Sequence, residues 1–137
     1  MSNLLEELAD LDISIVINNV GVDVLEKYQK LEASTIEDLI KLNCFPLAYI
    51  NRYFIPILQK RLREKKLKGA IVNVASIAGL MPMPYYNIYS ASKAYVDKLS
   101  RSLAYEYPEI DILSLRPSEV STPMTCNKDV DIFTITA

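Results

Sequence analysis

Tyr89-Ser90-Ala91-Ser92-Lys93 places a phenol and an amine four residues apart, on one face of the segment if it is helical. An ammonium beside a phenol favours the ionised form and draws its pKa below the usual value of about 10. Such a tyrosine can exchange a proton with a carbonyl or alcohol oxygen near neutral pH. The pair alone says little: with nine tyrosines and ten lysines in 137 residues, chance supplies about 0.7 such pairs. Ser76 adds a second polar group, thirteen residues before Tyr89 and directly after an apolar run. Taken singly, a hydroxyl there more often just closes a strand end.

Other chemistries fall away by composition. The chain has no histidine, so no Ser-His or Cys-His pair can exist within it. Cys44 and Cys126 lie far apart and outside any CxxC, against a cysteine-built zinc site or a disulfide framework. The three glycines, Gly21, Gly69 and Gly79, fit neither a dinucleotide fingerprint nor a P-loop. A net charge of -2 gives no basic excess for nucleic acid. No run approaches the roughly 20 apolar residues of a membrane span. The opening MSNLLEELADLD is too acidic for a signal peptide, so the chain taken alone reads as cytoplasmic.

Hydrophobicity at 50% supports one packed domain. Ile13 to Ile17 (ISIVI) is a continuous apolar run, predicted to be a parallel strand covered on both faces and ending at the turn Asn18-Asn19-Val20-Gly21. Ser34-Thr35-Ile36-Glu37 has the form of a capping box opening a helix. Pro46 and Pro56 predict a kink or break in that helix, and Gly69 predicts its stop. Ala70 to Ala75 is a second strand, Asn87 to Tyr107 a helix stopping at Pro108, and Asp111 to Leu115 a third strand. Strands alternating with helices imply an α/β fold with a parallel sheet.

In such sheets, ligands bind outside the carboxyl ends of the strands. The three predicted ends carry Asn18 to Gly21, Ser76, and Pro117 to Thr122, with Tyr89 and Lys93 beside them. This convergence on one rim weighs more than any single motif.

The set resembles the short-chain dehydrogenase/reductase family. Asn18-Asn19-Val20-Gly21 is similar to its NNAG motif, with Val in the third place. Ser76, Tyr89 and Lys93 match its catalytic serine and YxxxK, and Asn43 its helix asparagine. Pro117, Val120 and Thr122 match PGxVxT, with Ser118 in place of Gly. The resemblance implies a Rossmann-like doubly wound parallel sheet, of which this chain would carry strands four to six with the first strand at an edge. It implies an NADP(H) cofactor, NAD(H) not being excluded, and a small apolar carbonyl or alcohol substrate. Tyr89 would be the general acid. Lys93 would lower its pKa and hold the nicotinamide ribose. Ser76 would polarise the substrate oxygen, and Asn43 would hold a water linking Lys93 to a proton relay. Asn18, Val20 and Gly21 would approach the adenosine side of the cofactor, and Pro117, Val120 and Thr122 the carboxamide side.

INNVG, KGAIVNVAS and YSASKAYVDKLSRSLAYEY are most similar to the branch of very-long-chain 3-oxoacyl-CoA reductases and 17β-hydroxysteroid dehydrogenases. That branch implies the endoplasmic reticulum, and the family implies a homodimer. TGxxxGxG is absent, so residues 1–137 are expected to form one partial domain without the glycine-rich cofactor unit and the C-terminal end. The expected function is ketone reduction on a 3-oxoacyl-CoA or steroid, with these residues inactive alone. The rival expectation is a non-catalytic homologue acting as a structural or interaction subunit. Two features are left over. The basic run Lys60 to Lys68 could meet an anionic lipid or a CoA phosphate, although a solvated helix end is commoner. Leu80, Met81, Met83 and Tyr86 could line an apolar substrate pocket.

Overall fold

The structure, a computed structural model, describes Leu8, residues 11–121 and residues 134–136. Three strands, β1 (Ile15–Asn18), β2 (Ala70–Val74) and β3 (Asp111–Leu115), form one parallel sheet in the order β1-β2-β3. Their β-branched residues suit a pleated surface. The register sets Ile17 opposite Val72 and Val72 opposite Leu113. A short parallel pair, β4 (Glu119–Ser121) and β5 (Thr134–Thr136), stands apart as a second sheet. The open parallel sheet with β1 at an edge is the α/β arrangement the sequence predicts.

The long helices α1 (Ala33–Lys65) and α2 (Asn87–Glu106) connect consecutive strands. Both pack on the sheet face that carries Val16, Ile71 and Ile112, where Ile55 and Leu58 of α1 meet Leu103 and Tyr107 at the end of α2. Leu47, Ala75, Val96 and Leu99 continue this core toward the carboxyl ends of the strands. The opposite face is bare among the described residues: Ile15 is 59% exposed, Ile17 64%, Leu113 52% and Leu115 45%. The apolar run of β1 is therefore covered on one face, not on both.

Details of α1 depart from expectation. It runs unbroken through Pro46 and Pro56. Each proline removes one donor, and the freed carbonyls belong to Leu42 and Arg52, both exposed residues. No capping box forms: the helix starts behind Glu32 without a side-chain cap, and Glu37 instead pairs with Lys41 at 2.6 Å. The helix stops at Lys65, with Lys66 left-handed at φ 60°. Gly69 serves packing rather than capping, since a Cβ there would stand 2.5 Å from Leu58 Cδ2.

Candidate active site

Ser76 leaves β2 and opens a 3-10 turn, Ile77–Leu80, its Oγ accepting the Ala78 amide at 3.1 Å. The Pro117 carbonyl after β3 accepts the Ile77 amide at 3.1 Å, so two strand ends fix this turn. The Ser76 hydroxyl then faces the phenol of Tyr89, in the first turn of α2, near enough to draw its pKa down. Gly79 makes the approach possible: a Cβ there would lie 2.7 Å from the backbone of Lys93 and Ala94.

Lys93 is 5% exposed and donates from Nζ to the Val74 carbonyl at 2.8 Å. Its Nζ stands 5.7 Å from the centroid of the Tyr89 ring. Burial draws the Lys93 pKa below the ordinary lysine value. Burial also raises the Tyr89 phenol, the Ser76 hydroxyl opposes the rise, and the nearby Asp23 carboxylate adds to it. This corrects the expected lowering of Tyr89 by Lys93. One donor of the ammonium goes to a backbone carbonyl, and loss of water around the phenol outweighs the pull of the Ser76 hydroxyl.

Asn43 comes from α1 and is buried. Its Oδ1 accepts the Val22 amide at 2.8 Å, and its Nδ2 donates to the Val22 carbonyl at 2.9 Å and to Ser92 Oγ at 3.0 Å. The amide side chain is thus a clamp on the loop after β1, with both Nδ2 protons used and one Oδ1 lone pair left to accept. Gly21 lies against it: a Cβ there would meet Lys93 Nζ at 3.1 Å and Asn43 Oδ1 at 3.5 Å.

Asn18 goes elsewhere. Its Nδ2 donates to Asn73 Oδ1 at 2.7 Å and to Asn51 Oδ1 at 3.3 Å, on the helix-covered face. The side chain expected at the cofactor therefore ties β1 to β2 and α1. Val20 is exposed beyond it, Pro117 holds the Ser76 turn, and Val120 is half-buried in β4. Thr122 lies outside the described residues. The structure thus unites Asn43, Ser76, Tyr89 and Lys93 with Gly21 at the carboxyl ends of the strands.

Three participants escaped the sequence. Ser92 accepts from Asn43 and donates to the Tyr89 carbonyl at 2.7 Å; its place on the Tyr89–Lys93 face was a usable signal. Val22 acts through its backbone, and Asp23 through a charge placed by the loop, and neither leaves a trace in residue type. The rim loops meet where Glu26 N–H donates to the Tyr85 carbonyl at 3.2 Å. Tyr85 is held left-handed at φ 69°, a strained state for a residue with a side chain. Leu80 and Met81 are exposed on this rim, and Tyr86 packs edge-on to Tyr89 at 5.9 Å.

The basic end of α1 lies at the far end of β2 from Ser76. Arg61 and Lys65 there pair with Asp12 and Lys68 with Asp111, a solvated helix end away from any substrate phosphate at the rim.

A family model described as short chain dehydrogenase matches residues 1–131. The chain belongs to the short-chain dehydrogenase family. Its relatives include 17-beta-hydroxysteroid dehydrogenase type 3 of Homo sapiens, 35% identical over 96% of this chain and 42% of that protein. Very-long-chain 3-oxoacyl-CoA reductase-A of Danio rerio is 36% identical over 86% of this chain and 37% of its own length. The chain spans less than half the length of the curated relatives it matches. Among solved structures, 4-hydroxyisoleucine dehydrogenase complexed with NADH superposes with a TM-score of 0.76 at 30% identity, covering 90% of this chain and 51% of that one. Membership of the short-chain dehydrogenases fits the four-residue cluster above. No helix among the described residues is long and apolar enough to cross a membrane.

Proposed function

We propose that the chain carries the catalytic residues of an NADP(H)-dependent oxidoreductase that reduces the ketone of an apolar substrate, a 3-oxoacyl thioester or a steroid. The observation that carries the proposal is the meeting of Ser76, Tyr89 and Lys93 at the strand ends, with the Gly79 turn packed on the backbone of Lys93 and Lys93 Nζ 5.7 Å from the Tyr89 ring. The two hydroxyls converge where one substrate oxygen would accept from both, which polarises the carbonyl. Tyr89 Oη delivers its proton to that oxygen as the carbonyl is reduced. With the cofactor bound, the two Nζ donors that Lys93 keeps beside its bond to Val74 would favour the phenolate left behind.

The residues present fit a nicotinamide cofactor. Lys93 uses one of three donors on Val74, and only a residue without a Cβ at position 21 leaves room beside the ammonium. Lys93 would hold the ribose, Val20 and Gly21 would border the nucleoside side, and Pro117, Val120 and Thr122 the carboxamide. When bound, the cofactor supplies the hydride. Similarity to the reductase and 17β-hydroxysteroid dehydrogenase branch supports NADP(H), the apolar ketone and residence at the endoplasmic reticulum. A homodimer through the outer faces of α1 and α2 belongs to the same proposal: a groove bordered by the exposed Arg52, Pro56 and Tyr95 lies open between them. The 137 residues alone turn over no substrate in this proposal.

The test is a chimera joining the preceding segment of a full-length relative to this chain, assayed by NADPH oxidation with 3-oxoacyl-CoA and 17-ketosteroid substrates. Tyr89→Phe should lower turnover by about 10²–10⁴-fold, the usual contribution of a positioned acid, with dinucleotide affinity nearly unchanged. Undiminished turnover in Tyr89→Phe sinks the proposal.

A further inference from the structure

We infer that Ser92 is a positioning residue that couples the loop after β1 to the backbone of the proposed catalytic tyrosine, an inference that rests on the role proposed for Tyr89. A continuous run of hydrogen bonds carries it. The Val22 amide donates to Asn43 Oδ1 at 2.8 Å, Asn43 Nδ2 donates to Ser92 Oγ at 3.0 Å, and the Ser92 hydroxyl donates to the Tyr89 carbonyl at 2.7 Å. Three elements distant in sequence are joined this way: the rim loop, α1 and the first turn of α2. The joint is dry, with Asn43 2% and Ser92 4% exposed, so water cannot substitute for either partner. Within this run of bonds the Ser92 hydroxyl both accepts and donates; a side chain lacking it severs the run at its middle and leaves Asn43 Nδ2 one partner short.

The plain alternative is a buried helix serine bonded back to its own helix. Ser100 on the same helix shows what that looks like: it is 0% exposed and donates to the Val96 carbonyl at 2.6 Å. Ser92 differs in having the α1 amide on its oxygen. Through that amide it reaches the loop that carries Gly21, whose Cα lies beside Lys93 Nζ. A ligand that orders the loop therefore also steadies the carbonyl of Tyr89, and Ser92 is the link.

The experiment compares Ser92→Ala with Ser100→Ala in the 137-residue chain. Amide exchange by NMR follows Val22, and [¹³C]tyrosine labelling, assigned with Tyr89→Phe, follows the Tyr89 phenol. In Ser92→Ala, Val22 should exchange about tenfold faster, the factor of one lost hydrogen bond, relative to Ile71 and Val72 in the same sample. The Tyr89 titration should also move back toward its ordinary value. Ser100→Ala should move neither. In an Asn43→Ala background, Ser92→Ala should add nothing further to Val22 exchange. The inference is overturned if Val22 exchange or the Tyr89 titration is unmoved by Ser92→Ala, if Ile71 and Val72 accelerate equally, or if Ser100→Ala does the same. None of these readouts needs turnover. An inactive chimera would count against the proposed function and leave this coupling standing; unmoved Val22 exchange would do the reverse.

Discussion

Gly79→Ala probes the packing that brings the Ser76 turn onto α2. The added Cβ would sit 2.7 Å from Ala94 N and Lys93 C and 3.0 Å from Lys93 O. These are backbone atoms inside a helix and cannot rotate aside. Ordinary contact begins near 3.4 Å, so the turn has to withdraw by about 0.7 Å. Overpacking of this size costs about 1–3 kcal/mol of stability. The chemistry should suffer more, because the withdrawal carries Ser76 away from Tyr89, and misplacement near 1 Å can cost about 10²-fold in rate. Gly69→Ala is the matched control: its Cβ meets a side chain, Leu58 Cδ2 at 2.5 Å, at the opposite end of β2. Both variants should lower the urea midpoint. In the chimera, only Gly79→Ala should lower kcat of the folded fraction by about 10²-fold, with NADPH affinity changed little. The reasoning is refuted if Gly79→Ala keeps the parent kcat, or if both variants lose activity only in proportion to unfolding.

Three further outcomes follow from the same contacts. The folded-state pKa of Tyr89 is raised above its unfolded value, so its contribution to stability is complete below about pH 10 and lost as pH climbs through the raised value; urea midpoints from pH 8 to 11 should fall less steeply in Tyr89→Phe than in the parent, and parallel curves would contradict this. Ile17→Lys, on the bare face of β1 at 64% exposure, should change the stability of the 137-residue chain by less than about 0.5 kcal/mol and raise the concentration at which light scattering begins; a loss above about 2 kcal/mol would mean that the face is covered. Burial raises the Cys44 thiol pKa, so iodoacetamide at neutral pH should label it slowly in the native chain and quickly in urea, as peptide mass spectrometry can follow; equal rates would show an open thiol.

The sequence disclosed the elements and the chemistry-bearing side chains to different depths. β3 and α2 were legible to within a residue because Pro108 and the apolar run Asp111 to Leu115 leave few alternatives. The start of α1 was not, because Ser34 and Glu37 carry the letters of a capping box while Glu37 spends its carboxylate on Lys41. Ser76, Tyr89 and Lys93 were legible because type, spacing and strand-end position agree. The side-chain partners of Asn18 were not legible because the face a strand residue occupies is set by register, and opposite Asn73 its amide turns under α1. The direction of the Tyr89 pKa depends on burial and on Lys93 binding the Val74 carbonyl, neither of which is written in a spacing of four.

The contacts that hold the site and the surface left bare lie on opposite sides of the sheet. Asn43, Ser92 and Lys93 are fixed by α1, α2, the end of β2 and the loop after β1, all on or above the face carrying Ile71 and Asn73. Ile15, Ile17, Leu113 and Leu115 point away from all of them. The geometry of the proposed acid therefore does not depend on what covers the second face. Covering that face buries apolar area and contributes stability in proportion to it, at about 25 cal/mol per Å². It does not alter which atoms meet at Ser76 and Tyr89. Restoring the preceding segment in a chimera should accordingly act on stability and on cofactor affinity. The hydrogen bonds that orient Tyr89 should persist with the same partners in the isolated chain and in the longer protein.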